Sequence, residues 1–244
     1  MTTYDTRKPR CHCCSKASKQ SVLMSSNSFG SRDLDQRPPE MMRSTMASWL
    51  QECRFCGYVA TDIGKDDAAA RAFVGTPAFQ ALCADPSPDP VTRRFLARAA
   101  LDAHGGDAES AFTHTLAAAW VADDSGRSSD ATALRLRAAT HVAGKSASLD
   151  TRLVLLDVLR RASDWSGAET LADTLIADRA DDPYDAIAAF HRSRIAERDN
   201  GRYTIADALA EPPKRDTSAA TPERVRMLVD HLRKMKDKPD KNTG

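Results

Sequence analysis

Cys53-Arg54-Phe55-Cys56-Gly57-Tyr58 is a Cys-x-x-Cys knuckle, and Cys11-His12-Cys13-Cys14 near the start of the chain is a second one. Two such pairs present four thiolates to one point, the donor set of a closed tetrahedral Zn²⁺ site. The expected ligands are Cys11, Cys14, Cys53 and Cys56. Gly57 stands where a knuckle needs a positive φ. The first pair is less regular: Ser15 takes the place where glycine is commoner, and His12 and Cys13 are competing ligands. Between Cys14 and Cys53 lie 38 residues, more than the usual spacer of about 15–20, so the intervening loop must fold over the ribbon or protrude. Reduced, unligated thiols or a redox pair are the alternative. A redox Cys-x-x-Cys opens a helix in a βαβ setting, and that pattern is not visible here. A four-sulfur site leaves no open position, so the zinc is expected to be structural.

Composition bounds the rest. A chain of 244 residues with 41% apolar, 28% charged and only 6% aromatic residues is one large domain or two small ones, with enough apolar mass for a core. That mass is largely Ala and Leu, which suits helix-on-helix packing. The net charge of +1 hides a gradient. Lys and Arg outnumber Asp and Glu by 9 to 5 in residues 1–56 and by 7 to 4 in residues 221–244, leaving the middle acidic. No stretch approaches the roughly 18 apolar residues of a membrane span, and Met1 to Arg10 lacks the apolar region of a secretory signal. Five of the 6 cysteines precede residue 57. Clustering of this kind favours a metal in a reducing compartment over a disulfide framework, so a cytoplasmic location is expected.

The periodicity changes along the chain. Residues 1–10 read as a flexible tail and 11–64 as a zinc-ribbon-like β module with a long loop. Short strands are expected near Ser21 to Ser25, Ser48 to Gln51 and Tyr58 to Ala60. Residues 65–236 read as an antiparallel, tetratricopeptide-like α-helical array, and 237–244 as a disordered tail. Helices are predicted near 66–74, 77–84, 91–104, 107–123, 130–144, 150–162, 164–180, 183–199 and 221–236. Asp89-Pro90, Asp182-Pro183 and Thr221-Pro222 each place a capping oxygen before a proline at the first helical position, and Ser166 to Glu169 has capping-box spacing. Trp165, Ala168, Leu171, Ala172, Leu175 and Ile176 make one apolar stripe, and Tyr184, Ile187, Ala188, His191 and Ile195 make another. The pairs 150–162/164–180 and 183–199/203–210 start about one 34-residue period apart. The fold class is therefore mainly α with a small N-terminal β module. Removal of Cys53 is expected to unfold that module and leave the helices largely intact.

The layout resembles a family of uncharacterised bacterial proteins. Its second knuckle reads Trp-x-x-x-Cys-x-x-Cys-Gly-Tyr, matched here by Trp49, Cys53, Cys56, Gly57 and Tyr58. The stretches Phe29 to Glu40 and Ala119 to Asp124 are similar to segments of such proteins. The resemblance spans roughly residues 10–200 and implies a zinc-ribbon-like module followed by tetratricopeptide-like helices, with no established activity. Arg54 departs from the proline common in such knuckles.

The long loop is the candidate partner-binding surface, through Phe29, Arg32, Asp33, Asp35 and Arg37. The competing reading tucks Phe29 and Leu34 against Trp49 or the first helices and leaves the charges solvated or paired. His104, His114, His141, His191 and His231 are scattered and read as packing residues. No nucleophile elbow, phosphate loop or dinucleotide fingerprint appears. The basic helix near 221–236 reads as a cap closing the array, or as a surface for anionic membranes or acidic partners. The leading expectation is a non-enzymatic scaffold that binds a protein or peptide. The alternative is a nucleic-acid-binding ribbon, with Arg7, Lys8, Arg10, Lys16 and Lys19 flanking the first pair. An enzyme with a site in the helical domain ranks third.

Overall fold

A computed structural model of the protein describes residues 1–177 and 185–210. It is mainly helical. Four short strands, β1 (Thr3–Arg7), β2 (Gln20–Ser25), β3 (Gln51–Glu52) and β4 (Val59–Ala60), precede nine α-helices: α1 (Ala68–Val74), α2 (Pro77–Ala84), α3 (Pro90–His104), α4 (Ala108–Asp124), α5 (Ser128–Val142), α6 (Leu149–Arg161), α7 (Trp165–Ala177), α8 (Asp185–Ala196) and α9 (Ile205–Ala210) among the described residues. The strands form two antiparallel pairs, β1 with β2 and β3 with β4.

Residues 1–10 are not a loose tail throughout: Thr3–Arg7 pairs with Gln20–Ser25, Tyr4 opposite Leu23. The turn between them carries the first knuckle, whose fixed geometry brings the two segments alongside each other. The stretch before the second knuckle is a 3₁₀ helix, Arg43–Ser48, that leads into β3. Asp182-Pro183, Pro212-Pro213, Thr221-Pro222, the helix expected near 221–236 and the tail at 237–244 lie outside the described residues.

Helix starts follow the sequence signals. Asp89 accepts from Val91 and Thr92 N–H with Pro90 in the first turn, and Thr76 accepts from Phe79 N–H ahead of Pro77, satisfying donors that a helix start leaves free. At α7 the expected capping box does not act. Trp165 is already helical and Asp164 accepts from Gly167 N–H at 3.1 Å.

Helix ends repeat one turn four times. After α3, α4, α6 and α8 the chain closes with the same pair of bonds, for example Gly106 N–H to Ala103 O and Asp107 N–H to Asp102 O, the geometry of a Schellman ending. The left-handed residues are Gly106 (φ 83°), Gly126 (φ 70°), Ser163 (φ 61°) and Arg198 (φ 51°). Two of them are not glycine, which hides the repeat from a reader scanning for Gly. Such short turns fold neighbours back on each other. Cross-helix pairs fit that arrangement: Asp102 late in α3 meets His114 early in α4, and Thr115 early in α4 meets His141 late in α5.

The apolar stripes pack as expected. Ala168, Ala172 and Leu175 of α7 meet Leu153, Leu156 and Leu159 of α6. The largest core does not stop at residue 64. Cys11, Cys53, Tyr58, Val59 and Ile63 share one buried cluster with Phe79, Phe95, Leu101, Phe112 and Leu116, and Trp49 meets Phe95 edge-on with ring centroids 6.3 Å apart. The cysteine-bearing segment is thus packed into the helical domain.

Candidate metal centre

The two knuckles have the same backbone. In the first, Ser15 N–H donates to Cys11 O (2.8 Å) and Cys11 N–H to Lys16 O (3.0 Å). In the second, Gly57 N–H donates to Cys53 O (2.8 Å) and Cys53 N–H to Tyr58 O (2.8 Å). Each turn needs a left-handed residue after its second cysteine: Gly57 at φ 76° in one, Ser15 at φ 58° in the other. Ser15 therefore adopts the glycine-like conformation its position demands, and the irregular first pair is a regular knuckle in space.

These turns bring Cys11, Cys14, Cys53 and Cys56 together, with all four Sγ atoms within 4.8 Å of one another. Cys11 Sγ lies 3.7 Å from Cys56 Sγ, and Cys14 Sγ lies 3.6 Å from Cys53 Sγ. A tetrahedron with metal–sulfur bonds of about 2.3 Å has edges of about 3.8 Å, so the cluster has the size of a four-thiolate metal site. Soft thiolate donors in this arrangement are compatible with zinc. It is the one group of metal-ligating side chains found among the described residues.

Neither candidate substitute ligand joins it. His12 turns its Nε2 to Asp66 at 2.9 Å. Cys13 lies outside the four-sulfur group, and its thiol is pushed up to about 12 by burial, with the charges of Cys11 and Asp67 adding to the effect. Burial also raises the Cys11 and Cys56 thiols. Partial burial acts the same way on Cys14, but the Lys16 N–H and the neighbouring thiols outweigh it and bring that thiol below its ordinary value. An ion entering the site must displace protons from the raised thiols, which couples metal binding to pH.

The helices hold the knuckles from behind. Arg71 of α1 donates to His12 O at 2.7 Å, and Gln80 of α2 donates to Cys56 O at 3.0 Å. A Cβ at Gly57 would stand 2.8 Å from Cys83 Sγ. Cys83 is therefore a packing residue under the second knuckle, its thiol pushed up to about 11 by burial.

The five residues expected to form a partner-binding loop divide sharply. Phe29 is 64% exposed and Arg32 is exposed, its guanidinium bonded to Gln36 O at 3.0 Å. Asp33, Asp35 and Arg37 are buried and are not available to a partner. Asp35 accepts from Trp120 Nε1 (2.9 Å) and Arg161 (2.8 Å), Asp33 accepts from Arg43 (3.0 Å), and Arg37 pairs with Asp124. Leu34 packs with Ile187, Phe190 and Ile205, not with Trp49. A backbone bridge between Asp33 and Thr204 completes the attachment. The loop is thus fastened across the ends of α4 and α6 and the start of α9, because burying its charges demands partners and the helix ends supply them.

Sequence reading missed those partners. Trp120, Asp123, Arg135, Arg160 and Arg161 carry no local signal of their roles. Arg161 bridges Asp35 to Asp123, and Arg135 also binds Asp123. Asp123 is half-buried, which pushes its carboxyl up, yet the hydrogen bond and charges of its arginines hold it below the usual range. Arg160, fully buried, donates to Asp157 and to the carbonyls of Asp199 (2.6 Å) and Gly201 (2.7 Å), placing a cation at the C-terminal end of α8.

The histidines are structural in their contacts. His104 stacks on Phe73, His114 Nδ1 lies 2.6 Å from Asp102, and His191 is buried with neither ring nitrogen hydrogen-bonded. No helix among the described residues is long and apolar enough to cross a membrane. Compared with known proteins, the chain matches no family model, no curated protein and no solved structure.

Proposed function

We propose that this protein is a zinc-stabilised, non-enzymatic interaction scaffold that binds a protein or peptide. The observation that carries the reading is the four-sulfur cluster with its edges of 3.6 and 3.7 Å. Four thiolates fill a tetrahedral ion's coordination shell and leave no place for water or substrate, so zinc there would hold structure. The two knuckles, the helices behind them and the fastened loop would then form one rigid body.

Two further features support the scaffold reading. The hairpins α6/α7 and α8/α9 turn on the same Schellman ending 35 residues apart, at Ser163 and Arg198, in keeping with a tetratricopeptide-like array whose grooves take peptides. Phe29 stands exposed, its N–H bonded to Glu40 O at 2.7 Å, on a loop that the ion pairs of Asp33 and Asp35 fasten farther along, and an exposed apolar ring on a fastened loop suits a partner contact. The six cysteines stand as free thiols, which fits work in the reducing cytoplasm.

Native mass spectrometry of the full chain tests the first half: one zinc per chain, lost to a chelator together with ordered structure, is expected. Affinity capture at full zinc loading tests the second half. A protein partner retained by the native chain and lost on Phe29→Ala supports the scaffold; no partner at full loading overturns it.

A further inference from the structure

The charge of the N-terminal segment is not spread evenly once its ion pairs are removed. Each of the five carboxylates in residues 1–56 is paired: Asp5 with Arg7, Asp33 and Glu40 with Arg43, Asp35 with Arg161, Glu52 with Arg94. Apart from Arg32 on the long loop, the exposed cations of this segment that make no ion pair with a described residue are Lys8, Arg10, Lys16, Lys19 and Arg54. All five flank or belong to the knuckles. Among them is Phe55, at the tip of the second knuckle, 44% exposed. Lys16 Nζ from the first knuckle lies 5.0 Å from the centre of its ring, and the Arg54 guanidinium lies 4.6 Å from it.

We infer that this knuckle tip is a binding surface for single-stranded nucleic acid, with a base stacking on Phe55 and neighbouring phosphates taken by Lys16, Arg54 and Arg10. A single strand alternates flat apolar faces with negative charges, and the tip alternates an aromatic face with cations. Both cations over the ring are on long, exposed side chains. A base displaces one of them from the ring, and the freed cation moves to the phosphate. An acidic peptide would use the cations and leave Phe55 idle. A duplex would hide its base faces.

Four thiolates leave a zinc-loaded centre with a net charge of about −2, and Lys16 and Arg54, two residues after Cys14 and one after Cys53, also act to offset it. Phe55 separates the two roles, because its neutral ring does nothing for the charge of the centre. This surface is distinct from Phe29, so it stands or falls apart from the scaffold reading.

The test is fluorescence anisotropy on the zinc-loaded full chain with a short oligouridylate and an oligothymidylate, against a duplex of equal length and polyglutamate. The single strands are expected to bind best, with a slope of log K against log salt of about −2 to −3.5 for three to five phosphate contacts. Phe55→Ala is expected to weaken binding about tenfold or more at unchanged zinc content, and Lys16→Glu with Arg54→Glu to weaken it further and flatten the slope. Equal binding of duplex or polyglutamate, or Phe55→Ala binding as the native chain does, overturns the inference. Zinc loss in the charge variants with full binding by Phe55→Ala would return these cations to the metal centre and also overturn it.

Discussion

Arg161, in the last turn of α6, donates to the Asp35 carboxylate at 2.8 Å, joining residues 126 positions apart. Both side chains are nearly excluded from solvent. The same guanidinium reaches Asp123 at the end of α4 at 2.9 Å. One cation therefore ties the long loop to two helix ends, and the loop's position depends on it.

Asp35→Ala is expected to destabilise the fold by about 2–3 kcal/mol, because it takes from Arg161 one of its two carboxylates and leaves the Trp120 N–H without an acceptor. Asp35→Asn keeps an acceptor for Trp120 and should lose less. Urea denaturation followed by far-ultraviolet circular dichroism measures both. A loss below about 1 kcal/mol for the alanine variant would mean the pair is not held as described.

Cys53→Ser should abolish metal binding and lower the melting temperature of the helices by about 10 °C or more. The sequence alone suggested that the helices would survive this change. The shared core argues otherwise, since Cys53 and Cys11 are buried in the same cluster as Phe95 and Phe112. Helices melting at the native temperature after metal loss would restore a two-part division.

Gly57→Ala meets two obstacles: φ 76° and a contact of 2.8 Å with Cys83 Sγ. Gly106→Ala meets only its φ of 83°, with open space around the new Cβ. The second should cost about 1–2 kcal/mol and the first more. Adding Cys83→Ala to Gly57→Ala should recover the excess but not the backbone cost. A double-mutant cycle without coupling would count against the contact.

His191 links stability to pH. It is wholly buried, which depresses its pKa from 6.5 to about 3, and the Arg160 charge pushes the same way. Asp157 lies 3.8 Å from Nδ1 but is already engaged by Arg160. The folded state keeps the ring neutral while the unfolded chain protonates near 6.5. The stability from this group is thus complete above that pH and lost as the pH falls towards about 3. His191→Leu should flatten this part of the stability–pH profile. It should also raise stability at neutral pH by about 1 kcal/mol, since two unpartnered nitrogens leave the core. An unchanged slope between pH 6 and 4, read by denaturation at each pH, would contradict it.

The sequence by itself determined the elements whose causes are local. Helices began where Asp89-Pro90 and Thr76-Pro77 put a capping oxygen before a proline. The stripe on α7 named the side chains that meet α6. Two Cys-x-x-Cys spacings named the four sulfurs, because a two-residue gap fixes a knuckle wherever it occurs. Only the tertiary structure decided the rest. That Ser15 and Ser163 serve as glycines, that Asp33, Asp35 and Arg37 are buried while Phe29 is not, and that the knuckles share a core with the helices all depend on contacts between distant segments. A charge on a loop reads as solvated until a helix end brings the opposite charge to it. That meeting is set by packing, and spacing along the chain does not encode it.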